Sequence, residues 1–123
     1  MSSDQIAAIK AGFFRVLGHP ARVRILEILR DGDQTVGELQ ALLDLDSSNT
    51  SQHLAALKQQ GIVVSAKHGT HVHYSARDPR VFQLLEIARV IIVSHLDESR
   101  ALLEELSAPE TLPAADEEIE PTR

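Results

Sequence analysis

Apolar residues recur at intervals of three and four along five stretches of the chain, and this periodicity predicts five amphipathic helices. The first covers residues 5–17, and the second begins at Pro20, because proline suits the first turn of a helix. The fifth and longest starts after Pro79 and extends to about Leu106. Between them lies a shorter pair of helices with a different surface composition.

This shorter pair is predicted between Thr35 and Gly61, with almost no loop between its members. Thr35 can cap the third helix, and Glu38, three residues later, can complete a capping box. Asp46 is placed to cap the fourth helix, and Gly61 marks its end. Two helices joined by such a tight turn form a helix-turn-helix.

The outer face of the fourth helix carries short hydrogen-bonding side chains instead of the Glu and Lys of a typical solvated helix. Such residues are poor helix formers, so a polar face that touches nothing is the less favoured interpretation. Asn and Gln pair with adenine edges in the major groove, and Ser bonds to base edges or phosphates. We therefore predict a recognition helix with DNA contacts from Ser47, Ser48, Asn49, Ser51, Gln52 and His53.

Residues that favour β-strands follow from Ile62 to Ala76, with a turn at Gly69, and predict a β-hairpin. A hairpin in this place is a wing, whose tip would meet the DNA backbone or the minor groove. His71 and His73 also have an i, i+2 spacing that a metal can use, but without an evident third ligand we favour solvated or phosphate-facing histidines. The predicted wing contacts are Lys67, His68, Thr70 and His71.

The fifth helix is apolar around most of its circumference. Eleven of the sixteen residues from Val81 to Leu96 are apolar, and only a narrow polar stripe through Gln83, Glu86 and Arg89 interrupts them. One small domain cannot cover so much apolar surface, so a twin helix in a two-fold dimer is the simplest partner. The expected fold is a mainly α winged helix-turn-helix with a small β-hairpin over residues 1–106, assembled as a homodimer.

Length and composition narrow the class of protein. The chain has 123 residues and no cysteine, which fits one domain without disulfides or thiolate metal sites. Charged residues interrupt the longest apolar run before it reaches the roughly 20 residues of a membrane span. We therefore expect a soluble, cytoplasmic protein that does not enter a membrane.

The net charge of −6 is unusual for a DNA-binding protein. Residues 107–123 contain five acidic residues and one basic residue, a net −4, and form a predicted acidic, disordered tail. Residues 20–80 contain seven basic and seven acidic residues, so the segment that would bind DNA is neutral. Phosphate affinity would then depend on locally clustered Arg and Lys, helix N-termini and the doubled footprint of a dimer.

The neutral charge keeps a second function class open, a winged-helix module that binds protein partners and not DNA. An enzyme is disfavoured, because no nucleophile, base and orienting group occur together in a motif. The histidines are instead scattered over caps, wing and helices.

The order of elements and the strings VLGHPARVRILEIL, LDLDSSNTSQHLAALKQQGIV and HYSARDP resemble the ArsR/SmtB family of bacterial winged-helix repressors, many of which sense metals. The resemblance covers the chain from Phe13 to Leu106. It implies a recognition helix that starts near Ser47 and a dimer interface made by the first and last helices. It also implies that binding of an effector lowers the affinity for double-stranded operator DNA.

Two metal sites of this family can be compared with the chain. The Cys-x-Cys pair of one site is absent, since its positions hold Thr35 and Gly37. On the last helix, His95 and Glu98 match the second half of the other site, whereas Phe82 and Leu84 occupy the first half. The resemblance thus implies half of a site for a divalent metal such as nickel or zinc, and a non-metal trigger is the alternative.

Overall fold

The structure is a computed structural model, and it describes residues 1–108. This part of the chain contains five helices and three strands, and it confirms the predicted mainly α fold with a hairpin. Of the predicted acidic tail, residues 107–123, Ser107 is the last residue of the final helix, and the part from residue 109 onwards lies outside the described residues. In chain order the elements are α1 (Ser3–Leu17), α2 (Pro20–Leu29), β1 (Gln34–Thr35), α3 (Val36–Leu43), α4 (Ser47–Gln59), β2 (Val63–His68), β3 (His71–Ala76) and α5 (Arg80–Ser107).

Side-chain caps start the two helices of the helix-turn-helix at the predicted residues. The Thr35 side chain accepts a hydrogen bond from the Glu38 backbone at 3.2 Å, and the Thr35 backbone donates to Glu38 Oε1 at 2.8 Å. Asp46 Oδ1 accepts from the Asn49 backbone at 2.7 Å and caps α4. Between the helices, Asp44 ends α3 in the left-handed region with φ 56°, a conformation that Asp tolerates better than most residues.

The sheet has three antiparallel strands in the order β1-β3-β2, one more than the predicted hairpin. The additional strand, β1, has two residues and pairs Thr35 with His73 and Gln34 with Tyr74. Two residues are too few to show the alternation by which strands are recognised in a sequence. Because Thr35 also caps α3, β1 attaches the hairpin to the start of the helix-turn-helix.

The hydrophobic core lies in a compact unit formed by Met1–Ile87. Inward-facing residues of all four helices α1 to α4, of β2 and of the start of α5 contribute to it. Each fully buried Leu, Ile or Val side chain stabilises the fold by about 1.5–3 kcal/mol relative to exposure. The buried apolar residues are Leu17, Ile25, Leu26, Leu29, Leu39, Leu43, Leu54, Leu57, Ile62, Val63 and Val81.

A second unit begins at Ala88, and its described part is the remainder of α5 together with Ala108. No residue in this described part is buried. Its large apolar side chains are all exposed, as shown by Val90, Ile91, Ile92, Val93, Leu96, Leu102, Leu103 and Leu106. Within residues 1–108, no helix combines the length and apolar character required to cross a membrane.

Candidate nucleic-acid interface

The polar residues predicted to contact DNA lie mostly on the exposed side of α4. Thr50, Leu54 and Leu57 are buried at a spacing of four and three, so they define the face of the helix that packs on the core. Five of the six predicted contact residues fall outside that buried stripe and face solvent. These five are Ser47, Ser48, Asn49, Ser51 and Gln52.

The cap of α4 engages one of these side chains. Asn49 Nδ2 donates to Asp46 Oδ2 at 3.2 Å, beside the backbone bond that Asn49 also makes to the same carboxylate. Thr50 Oγ1 donates to the Asp46 carbonyl at 2.8 Å, which satisfies a hydroxyl that is fully buried. Among the described residues no hydrogen-bond partner holds the Gln52 amide. The Gln52 amide is therefore available to a ligand, whereas the Asn49 amide is partly engaged by Asp46.

His53 differs from the expectation of an outward-facing contact residue. It is half-buried, and its Nδ1 accepts a hydrogen bond from Arg22 Nε of α2 at 3.1 Å. Burial lowers the pKa of His53, and the charges of His19 and Arg22 lower it further. The physical reason is its position on the helix. His53 is three residues after Thr50 and four before Leu57, so it borders the buried stripe, and this spacing was visible in the sequence.

The tip of the wing presents the predicted residues to solvent. His68 and His71 face each other across the last pair of the hairpin, and Gly69 makes the turn between them with φ 67°. That left-handed conformation explains why glycine occupies this position. All four predicted wing contacts, Lys67, His68, Thr70 and His71, are exposed.

A lysine that was not predicted joins the recognition helix to the wing. Lys58 Nζ, near the end of α4, donates to Ser65 Oγ of β2 at 2.8 Å. Its position before the terminal Gly61 indicated only a favourable charge at a helix C-terminus. The contact to Ser65 depends on the fold of the hairpin, and the sequence carried no signal for it.

Three histidines lie on one face of the hairpin. His71 and His73 are two residues apart on β3, and His68 of β2 is paired with His71. All three side chains therefore project from the same face of the hairpin. The rings of His68 and His73 are 5.1 Å apart between centroids. The pKa of the Glu38 carboxyl is lowered, first by its hydrogen bond to the Thr35 backbone and to a smaller extent by the charges of His73 and His71. Within residues 1–108, however, no group of three or more His, Asp or Glu is placed to hold a metal ion.

His95 and Glu98, the half-site implied by the family resemblance, are exposed and three residues apart on α5. Residues at this spacing lie on one side of a helix. In the part of the chain that the structure describes, they are not joined by a third donor. The arrangement therefore offers two metal ligands from one chain.

The fold and the exposed polar helix define a winged helix-turn-helix of the DNA-binding class. The sequence of residues 19–65 matches the family described as "Bacterial regulatory protein, arsR family". A protein of Mycobacterium tuberculosis named "Uncharacterized HTH-type transcriptional regulator Rv0081" is 41% identical over 88% of this chain and 96% of its own length. On these findings the chain belongs to the ArsR family of bacterial regulatory proteins, which are regulators of transcription and not enzymes.

Solved structures agree with this assignment. The crystal structure of Rv0081 is similar to this chain with a TM-score of 0.73 and 40% identity, over 76% of this chain and 95% of that one. The homodimeric winged helix-turn-helix domain Mb0332 of Mycobacterium bovis has a TM-score of 0.71 at 25% identity, over 80% and 93% of the two chains. The cadmium metal-sensor CMTR of M. tuberculosis has a TM-score of 0.55 at 39% identity, over 62% and 79%.

Proposed function

We propose that this ArsR-family protein is a cytoplasmic, homodimeric regulator that binds a specific operator in duplex DNA through α4 and the wing. The observation that carries the proposal is the row of exposed Ser, Asn and Gln side chains on the first half of α4. These side chains match the donors and acceptors of base edges in the major groove. Phosphate contacts from Lys67 and its wing neighbours would set the register of α4 in the groove.

Exposed apolar surface on two helices supports the dimer. On α1, Ile9 and Phe14 are 55% and 54% exposed, and on α5 Ile91 is 63% exposed. Apolar patches of this kind on a small domain mark an interaction surface. The homodimeric state of the related Mb0332 domain favours a second copy of this chain as the partner. A dimer also doubles the number of phosphate contacts, which compensates for a neutral DNA-binding segment.

The test is to select duplexes from a random-sequence pool with the purified protein and then to titrate the recovered duplex at increasing salt. A dimeric regulator should recover sequences with two-fold symmetry and half-sites about 10 base pairs apart. Its binding constant should fall steeply with salt and exceed that for a scrambled duplex about 10³-fold or more. Recovery of no preferred sequence and an affinity insensitive to salt would instead identify a protein-interaction module.

We propose a divalent metal such as nickel or zinc, bound at His95 and Glu98, as the trigger that lowers DNA affinity. Imidazole and carboxylate suit both metals, and a solved relative is the cadmium metal-sensor CMTR. One chain supplies only two ligands among its described residues, so the fit is incomplete. Further ligands would have to come from water or from the second chain of the dimer. The competing proposal is a regulator of the same family with a non-metal trigger.

A His95→Ala dimer separates these two triggers. If metal acts through this residue, the variant keeps its fold and its affinity for the selected duplex but no longer responds to nickel or zinc. Ser94→Ala, at the neighbouring exposed position, is the control and should respond as the unaltered protein does. Identical metal responses in all three proteins would assign the trigger to another site or another kind of molecule.

A further inference from the structure

One side chain connects three helices beside the recognition surface. Arg22 belongs to α2, and its Nη1 donates to the Val16 carbonyl near the end of α1 at 3.2 Å. Its Nε donates to His53 Nδ1 in α4 at 3.1 Å. Both hydrogen bonds are partly buried, so water competes for them less than at the surface. Arg22 therefore helps to hold α4 against α1 and α2.

The bond to His53 requires the ring to be neutral. Nδ1 can accept from Arg22 only while it carries no proton, and a protonated Nδ1 would turn one N–H towards another. The ring of His19 lies 4.4 Å from that of His53 between centroids, and its own Nδ1 accepts from the Ala21 backbone at 3.1 Å. A proton on His53 would thus remove a hydrogen bond and place a positive charge beside Arg22.

We propose that His53 is a positioning residue that holds α4 in its DNA-binding orientation through Arg22, and that protonation of His53 releases α4 and weakens DNA binding in acid. The inference rests on the proposed function, in that α4 is the helix that enters the DNA groove. It reassigns His53 from a base contact to the support of its neighbours Asn49 and Gln52, which lie one turn or less away on the exposed face.

The direction with pH follows from the environment of His53. Burial first, and then the charges of His19 and Arg22, lower the pKa of His53, so the ring takes up its proton at a lower pH than an ordinary histidine does. The support is therefore present at neutral pH and is lost as the pH falls. Arg22 lies in α2 and His19 caps the start of that helix, whereas α1, α3 and β2, which also pack on α4, contribute no charge to this shift. The wing histidines act in the opposite direction, because imidazolium attracts phosphate.

His53→Asn isolates the contribution of His53. Asn Oδ1 occupies the place of His Nδ1 and can accept from Arg22, but it does not titrate. The dissociation constant of the selected duplex is measured for both proteins between about pH 8 and pH 5.5 at constant ionic strength. We expect equal affinities at the upper end, and binding that is weaker by a few-fold for the unaltered protein than for the variant at the lower end, where His53 begins to take up its proton. Protonation of the wing histidines affects both proteins equally, so it cancels in the ratio of their dissociation constants. A ratio that stays constant with pH overturns the proposal.

Two further measurements keep the inference testable whether or not DNA is the partner. Nitrogen NMR of the histidine rings should show an unprotonated Nδ1 in His53 at neutral pH, and α4 amides should exchange faster once that nitrogen is protonated, but not in His53→Asn. Arg22→Met, which lacks the donor, should bind the duplex weakly at every pH. A protonated Nδ1 at neutral pH, or full affinity in Arg22→Met, contradicts the proposal. Failure to select any duplex contradicts only the proposed function.

Discussion

The first half of α4 and the part of α5 after Ala88 are both exposed helical surfaces of opposite character. On the first half of α4 the side chains that face solvent are polar, while the two leucines of the helix, Leu54 and Leu57, are buried in the core. On α5, the large apolar side chains face solvent, with Leu96 58% and Leu103 63% exposed. Exposure to water is therefore unfavourable for the apolar surface of α5 but not for the polar surface of α4.

This difference indicates two kinds of partner. The polar groups on α4 form hydrogen bonds with water, so they gain from binding only a ligand whose donors and acceptors match their own. The edges of DNA bases are such a ligand. Apolar groups on α5 are unfavourable in water at about 25 cal/mol per Å², so burying them against another apolar surface releases free energy without specific geometry. A second copy of the chain presents such a surface by symmetry.

The largest effect is expected from a substitution in the exposed apolar surface of α5. Ile92→Asp places a charge where we expect a desolvated interface, at a cost of about 3–5 kcal/mol for an unpaired buried charge. The variant should be monomeric or unfolded in sedimentation, and duplex affinity should fall about 10²-fold or more, since two linked half-sites no longer act together.

Ser94→Asp is the matched control for this substitution. It adds the same charge at an exposed residue about 200° further around α5, where no apolar side chain is lost. That variant should remain dimeric. If Ile92→Asp also sedimented as a folded dimer with unchanged DNA affinity, the interface would lie on another surface.

An intermediate effect is expected from the polar side. Gln52→Ala removes an exposed amide without disturbing the core, so folding stability should change by less than about 0.5 kcal/mol. Affinity for the selected duplex should fall by about 1–3 kcal/mol, and affinity for random duplex should change much less. Gln59→Ala, which removes the same exposed group at the other end of α4, is the control and should leave both affinities unchanged. Equal losses on both duplexes would show that Gln52 contributes no sequence discrimination.

Most of the fold could be predicted because its signals are local. Apolar periodicity marks the helices, and Thr35 and Asp46 mark two helix starts through caps that act within three residues. The strand β1 could not be predicted, because its two residues become a strand only by pairing with His73 and Tyr74 almost forty positions away. Contacts of that kind depend on the folded chain and leave no trace in a short window of sequence.

In the candidate site, too, the features set by local sequence could be predicted and those set by long-range contacts could not. The exposed residues of α4 follow from composition and helical spacing, and the structure finds five of them facing solvent. The half-buried position of His53 also follows from helical spacing, but its hydrogen bond to Arg22, 31 positions earlier in the chain, does not. The third histidine on the face of the wing, His68, depends on the register of the hairpin. Long-range pairs of this kind decide which polar residues support the site and which remain free to contact a ligand.

The smallest effect is expected from removing the acidic residues that follow α5. This change tests whether their negative charge opposes DNA binding by a segment that is itself neutral. Truncation after Leu106 removes residues 107–123 and with them a net −4 per chain. Less repulsion from phosphate should raise the association rate with duplex a few-fold at low salt, and the gain should vanish at about 1 M salt, where the screening length is about 3 Å. Ser107 Oγ donates at 2.6 Å to the Leu103 carbonyl within the last turn of α5, and losing this exposed bond should cost less than about 0.5 kcal/mol. Thermal unfolding should therefore be almost unchanged. A drop of many degrees in the midpoint would show that the removed residues stabilise the folded protein, and the charge argument would then not account for any change in DNA binding.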